Sequence, residues 1–100
     1  MEPIFHIATQ VDWTMAAAMG VYTKSTIDKT IDEEGFMHTS FAHQVAATAQ
    51  RYYSDIDAPL VLITIDPSLV EHEIKIENGF PHIYGPLNTN AVVSVEPFQP

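Results

Sequence analysis

The chain of 100 residues has no cysteine, four Lys plus Arg, and four glycines. Without cysteine there is no disulfide framework, no thiolate nucleophile and no sulfur ligand for a metal. That absence fits a reducing compartment, and the expected location is the cytoplasm. Four basic residues against thirteen acidic ones give a formal charge of −9. Such a surface repels nucleic-acid backbones and anionic lipid, so neither is an expected partner. A local set of donors can still hold the phosphate of a small ligand. The glycines are not clustered, which excludes a phosphate-cradling glycine-rich loop. No apolar run approaches the length of a membrane span. The opening Met1-Glu2-Pro3 places no basic stretch before an apolar one, so a secretory signal is not expected.

What remains is an apolar fraction of 46%, the composition of a globular protein, and one domain over residues 1–100 is expected. Ile4 to Ile7 reads as an opening strand, with Ile4, His6 and Ala8 on one face and Phe5 and Ile7 on the other. Thr9, three residues before Asp12, starts a helix that Gly20 stops. Val11, Met15, Ala18 and Met19 form its apolar stripe, and Trp13 points to the other side. Ser25 to Glu34 reads as a polar, mobile surface loop. Phe36 to Ser40 follows as a strand, with Ser40 placed to cap the next helix, whose inner face carries Phe41, Val45, Thr48, Ala49 and Tyr52.

Leu60 to Ile65 is nearly continuously apolar, which predicts a central strand buried on both faces. Asp66-Pro67 starts a single helical turn. Glu71, Glu73, Lys75 and Glu77 then alternate with His72, Ile74 and Ile76, leaving one wet face. Asn78-Gly79 predicts a tight hairpin returning through Phe80 to Tyr84, and Ala91 to Val95 reads as a last strand. The order β-α-β-α-β-β-β predicts an α+β fold, a small mixed or antiparallel sheet with two helices.

Five histidines are the compositional oddity. On one strand, His38 and Ser40 would share a face and could act as a catalytic imidazole and hydroxyl at the lip of a cleft. The competing reading makes Ser40 a helix cap and His38 a buried, hydrogen-bonded histidine. His82 and Tyr84 also share a strand face, between Pro81 and Gly85-Pro86. They are either aimed at a site or part of a stiff hairpin arm. His6, on a largely apolar face, reads by itself as a core histidine with one hydrogen bond. His43 and His72 carry less. No histidine pair has the i, i+4 spacing of a zinc helix, so no metal site is expected. No Gly-x-Ser-x-Gly turn presents a serine nucleophile. Asp32, Glu33 and Glu34 read as solvated charge, and Glu96 shares a face with Ser94 that points to solvent.

Three blocks carry a family resemblance: Ile4-Phe5-His6-Ile7 with Trp13; Glu34-Gly35-Phe36-Met37-His38-Thr39-Ser40 with Gln44; and Phe80-Pro81-His82-Ile83-Tyr84-Gly85-Pro86-Leu87. Together they resemble the bacterial family called domain of unknown function 952. The resemblance spans nearly the whole chain and implies a fold similar to that of ADP-ribosyltransferases. It implies a ribose-contacting role for His6, a place near a nicotinamide for His38 and Ser40, and an NAD-like nucleotide as the cofactor or ligand. The pattern also asks for a late-strand glutamate, for which Glu96 alone is available. The expected function is binding of a small nucleotide-like ligand by His6, Trp13, Gln44, His82 and Tyr84 around His38 and Ser40, with transferase activity one outcome. The alternatives are a non-catalytic ligand-sensing or protein-interaction module, or purely structural histidines. Oligomeric state is not fixed by the sequence.

Overall fold

The opening strand β1 (Ile4–Thr9) passes directly into α1 (Gln10–Met19) in the computed structural model, which describes residues 1–100. Thr9 caps the helix by accepting from the Asp12 amide, and Gly20 closes it in the left-handed conformation at φ 83°. The helix docks differently from its expected stripe. Ala16 is buried and Trp13 packs on the core, while Val11, Met15 and Met19 are 59–69% exposed. A methyl side chain lets the helix axis lie close to the sheet, and the Trp13 ring fills the space beside it. Longer side chains at 15 and 19 would hold the helix away.

β2 (Val21–Tyr22), β3 (Lys24–Thr26) and β4 (Lys29–Thr30) come next, followed by the single turn α2 (Ile31–Glu34). The expected polar loop over 25–34 is therefore structured. Thr30 and Glu33 form a reciprocal capping box, Ser25 donates to the Phe36 carbonyl, and Ser25 and Ile31 are buried. A run of charge conceals two inward-facing positions.

The predicted strand over 36–40 is divided. β5 (Met37–His38) and β6 (Ser40–Phe41) belong to different sheets, because at Thr39 both the amide and the hydroxyl donate to the Pro81 carbonyl, at 3.2 and 2.7 Å. A 3-10 turn (Ala42–Gln44) then leads into α3 (Val45–Tyr52). Ser40 does not cap this helix: the Phe41 amide donates to Gln44 Oε1 at 2.8 Å. Ala49 and Tyr53 occupy the inner row, Val45 packs beside them, and Tyr52 turns outward at 63% exposure.

β7 (Leu60–Ile65) is the central strand anticipated from its apolarity. Asp66 caps the short turn Pro67–Leu69, and β8 (Ile74–Glu77) and β9 (Phe80–Ile83) form the Asn78-Gly79 hairpin. Both turn residues have positive φ, 53° and 82°, which that two-residue bend requires. β10 (Leu87–Asn88) and β11 (Val92–Phe98) complete the chain, the last strand running three residues beyond its expected end.

The principal sheet has the order β11-β7-β1-β6 and a second has the order β5-β9-β8, with every pairing antiparallel; β10-β2 and β3-β4 are two-stranded. The fold is α+β. Ile4, Met37, Ile63, Ile65, Ile83 and Leu87 are fully buried between the sheets and α1. A smaller apolar group, Ile7, Ala49, Tyr53 and Leu60, joins α3 to the principal sheet. No helix is long and apolar enough to cross a membrane.

The docking of α1 makes a stability prediction. Met15→Glu or Met19→Lys should change the free energy of unfolding by no more than about 0.5 kcal/mol. Ala16→Leu should cost about 1–3 kcal/mol by overpacking. Urea unfolding of the three variants tests this, and a reversed order would place the stripe at 11, 15 and 19 against the core.

Candidate functional site

His6 on β1 and His38 on β5 meet at a hydrogen bond between the two sheets. The His6 ring is 4% exposed and bonded on both sides: Nδ1 donates to the His38 carbonyl at 2.6 Å, and Nε2 accepts from the Tyr22 hydroxyl at 3.1 Å. That pattern assigns the neutral Nδ1–H tautomer. Burial pushes the His6 pKa down to about 4. Neither ring nitrogen is free for a ligand, so the expected ribose contact from His6 has no donor or acceptor to make it. Burial likewise raises the Tyr22 phenol above its ordinary range.

The second sheet carries two further imidazoles, His38 and His82. In the β5–β9 register His38 lies across from His82, and their ring centroids are 5.4 Å apart, edge to face. Phe36 stacks on the His82 ring at 4.2 Å and meets the His38 ring edge-on at 4.7 Å. His82 is 9% exposed, and its Nδ1 donates to Glu77 Oε1 at 2.8 Å. The Tyr84 hydroxyl donates to the same oxygen, and Lys75 Nζ lies 4.8 Å from the Tyr84 ring centroid. These two hydrogen bonds, from Tyr84 first and His82 second, hold the Glu77 carboxyl below the usual carboxylate range. The shared oxygen raises the Tyr84 phenol. His38 is less enclosed, with Nε2 3.7 Å from Glu34 Oε1. Partial burial and the nearby His82 lower its pKa, against an opposing pull from Glu34.

These groups open into a cleft of about 820 Å³ between the second sheet, the β1–β6 edge and α3. The second sheet and its approaches contribute Glu34, Phe36, His38, Glu77 and His82; α3 contributes Thr48, Arg51 and Tyr52. Arg51 is the cleft's one Lys or Arg, lies over the Tyr52 ring at 5.4 Å, and has no carboxylate within 4 Å. Ser40 reaches the cleft wall, but its Oγ is paired with Thr48 Oγ1 at 3.3 Å and it does not share a strand with His38.

Of the residues expected at the site, His6, His38, Ser40 and His82 therefore line one cleft, and Tyr84 stands beside it through its hydrogen bond to Glu77. Trp13 does not, since it lines a separate groove with Pro59, Val95 and Phe98. Gln44 is spent on the main chain, accepting from the Phe41 amide and donating to the Gly79 carbonyl at 2.8 Å. Glu96 is exposed and borders the Trp13 groove, as its strand face indicated. The sequence reading missed Glu34, Phe36, Glu77 and Arg51. Glu77 had a legible signal: a two-residue bend pairs Glu77 with Phe80 and Lys75 with His82, which sets Glu77 diagonal to His82 on one face. No group of three or more His, Asp or Glu side chains is arranged to hold a metal.

A family model described as "Protein of unknown function (DUF952)" matches residues 7–95. The chain belongs to the DUF952 family. Similar solved structures are those of protein CC0527 from Caulobacter crescentus. Its crystal structure has a TM-score of 0.83 at 25% identity, over 98% of this chain and 87% of that one. Its solution NMR structure has a TM-score of 0.68 at 28% identity, over 95% and 83%. No curated protein matches this DUF952 chain.

The buried imidazole gives the fold a pH dependence. His6 titrates near 6.5 when unfolded and at about 4 when folded. Between those values the unfolded chain binds more protons, so stability is full above pH 6.5 and falls as pH drops toward 4. The loss reaches roughly 3 kcal/mol by the lower end. In urea titrations at pH 7 and pH 5, wild type should lose about 2 kcal/mol more than His6→Gln. Equal losses would mean that His6 is not buried in its neutral form.

Proposed function

We propose that this DUF952 protein binds a small nucleotide-like ligand in the cleft under His38 and His82. The observation that carries the reading is the pair of facing imidazoles on Phe36, each with a carboxylate beside it, in a cavity that also holds the unpaired Arg51. Its volume lies within the range of small-molecule sites. Arg51 supplies the cation that a ligand phosphate needs in a chain of net charge −9. Phe36, Tyr52 and Phe80 offer ring surfaces to a base, and Glu34 and Glu77 suit a positively charged ring such as nicotinamide.

A likeness to the ADP-ribosyltransferase fold belongs to the same reading and makes NAD and ADP-ribose the first probes. Glu96 is outside the cleft, so any turnover of such a ligand does not run through a late-strand glutamate. His38 and His82 are the cleft imidazoles, the residue type suited to proton transfer with a bound ligand. In this reading the molecule is one cytoplasmic domain whose partner is the small ligand. The exposed row Val11, Met15 and Met19 favours a second reading, a protein-interaction module. Gel filtration of wild type and Met15→Glu showing monomers alike would remove self-association as that role.

A thermal-shift panel tests the binding reading. Ligand at ten times its Kd stabilises by about 1.4 kcal/mol, which is about 5–10 °C for a chain of 100 residues. ADP-ribose or NAD should give such a shift, and His38→Ala should abolish it. Arg51→Ala should weaken ADP-ribose about tenfold or more and leave adenosine unaffected. Absence of any shift across the nucleotide panel would contradict the reading.

A further inference from the structure

The two cleft imidazoles have different supports. His82 Nδ1 is within hydrogen-bond distance of Glu77 at 2.8 Å, whereas His38 stands 3.7 Å from Glu34, too far for a hydrogen bond. The Tyr84 hydroxyl gives Glu77 a second donor, and Lys75 lies over the Tyr84 ring. His6, neutral and buried, holds the His38 carbonyl from behind. At a centroid spacing of 5.4 Å, two positively charged rings would repel each other. One proton is therefore favoured over two, and it belongs on the ring with the bonded carboxylate.

We propose that His38 and His82 act as a coupled acid–base pair, with charged His82 on Glu77 as the acid and neutral His38 as the base, for hydrolysis of a small phosphodiester. This rests on the ligand-binding reading of the same cleft and adds its reaction. The hydroxyls that flank the pair are engaged, Ser40 with Thr48 and Thr39 Oγ1 as donor to the Pro81 carbonyl. Cysteine is absent. The attacking oxygen is then that of water.

In the step, His38 accepts a proton from water as the new O–P bond forms. The P–O bond to the leaving group breaks, and Nε2–H of His82 gives its proton to the departing oxygen. Ester plus water become alcohol plus phosphate monoester, and solvent exchange returns the pair to its starting state. Arg51 meets the single negative charge of the diester.

Two measurements on the full chain test this. In an NMR pH titration without ligand, His82→Gln and Glu77→Gln should each shift the His38 midpoint upward, and Glu34→Gln should shift it downward. Glu77→Gln alters a half-exposed side chain, so it reads the coupling even where His82→Gln fails to fold. A His38 midpoint unmoved by Glu77→Gln would overturn the pair. Adenosine 2′,3′-cyclic monophosphate, followed by phosphorus NMR, should be opened to the monophosphate with a bell-shaped pH profile. The rate should fall about 100-fold or more in His38→Ala. ADP-ribose binding without cyclic-phosphate hydrolysis would overturn this proposal and leave the binding reading intact. No binding of any nucleotide would remove both.

Discussion

A neutral imidazole buried between a phenol and a main-chain carbonyl ties the two sheets together, and the cleft depends on that tie. His6 belongs to β1 of the principal sheet, and the carbonyl it holds belongs to His38 on β5 of the second. Tyr22, fully enclosed on the short β2, completes the ring's hydrogen bonding. An apolar side chain in place of His6 would remove the partner of the His38 carbonyl and leave the buried Tyr22 hydroxyl unsatisfied, the latter costing about 1–3 kcal/mol. The ring also fixes where β5 crosses, and with it the position from which His38 enters the cleft.

Thr39 makes the complementary contribution. By giving both its amide and its hydroxyl to Pro81, it turns the chain from one sheet into the other within one residue. His38 is left facing His82 across the β5–β9 ladder, while Ser40 goes to the β1 edge. The hairpin then supplies the chemistry that the turn has made room for. Its tight bend sets Glu77 diagonal to His82, and Tyr84 closes on the same carboxylate oxygen. The solvated face of this hairpin is thus the cleft wall, and its other face, through Pro81 and Ile83, belongs to the core.

Local signals were legible in the sequence wherever the reason for them is local. The Thr9 cap, the Gly20 stop, the apolar central strand and the Asn78-Gly79 bend all read correctly, because each depends on a few adjacent residues. Burial was harder to read where packing decided it. On α1 the small Ala16 lies inside and the larger methionines outside, the reverse of what hydrophobicity alone implies. In the acidic stretch before Gly35, two buried positions and a capping box were hidden by the charges around them. The site shows the same division. Period-two alternation paired His82 with Tyr84, but could not place His38 and Ser40 in separate sheets, since that break comes from a hydrogen bond between residues 39 and 81. Trp13 and Gln44, close to the right blocks in sequence, take no part in the cleft: one lines a separate groove and the other is bonded to the main chain.

The clamp itself can be observed directly. A nitrogen-edited NMR spectrum of the His6 ring should show a slowly exchanging Nδ1–H, a scalar coupling from it to the His38 carbonyl, and no titration between pH 5 and pH 8. A His6 ring that exchanges its proton freely and titrates like a solvated imidazole would mean that nothing of this kind joins the sheets, and the account of how the cleft is built would fail.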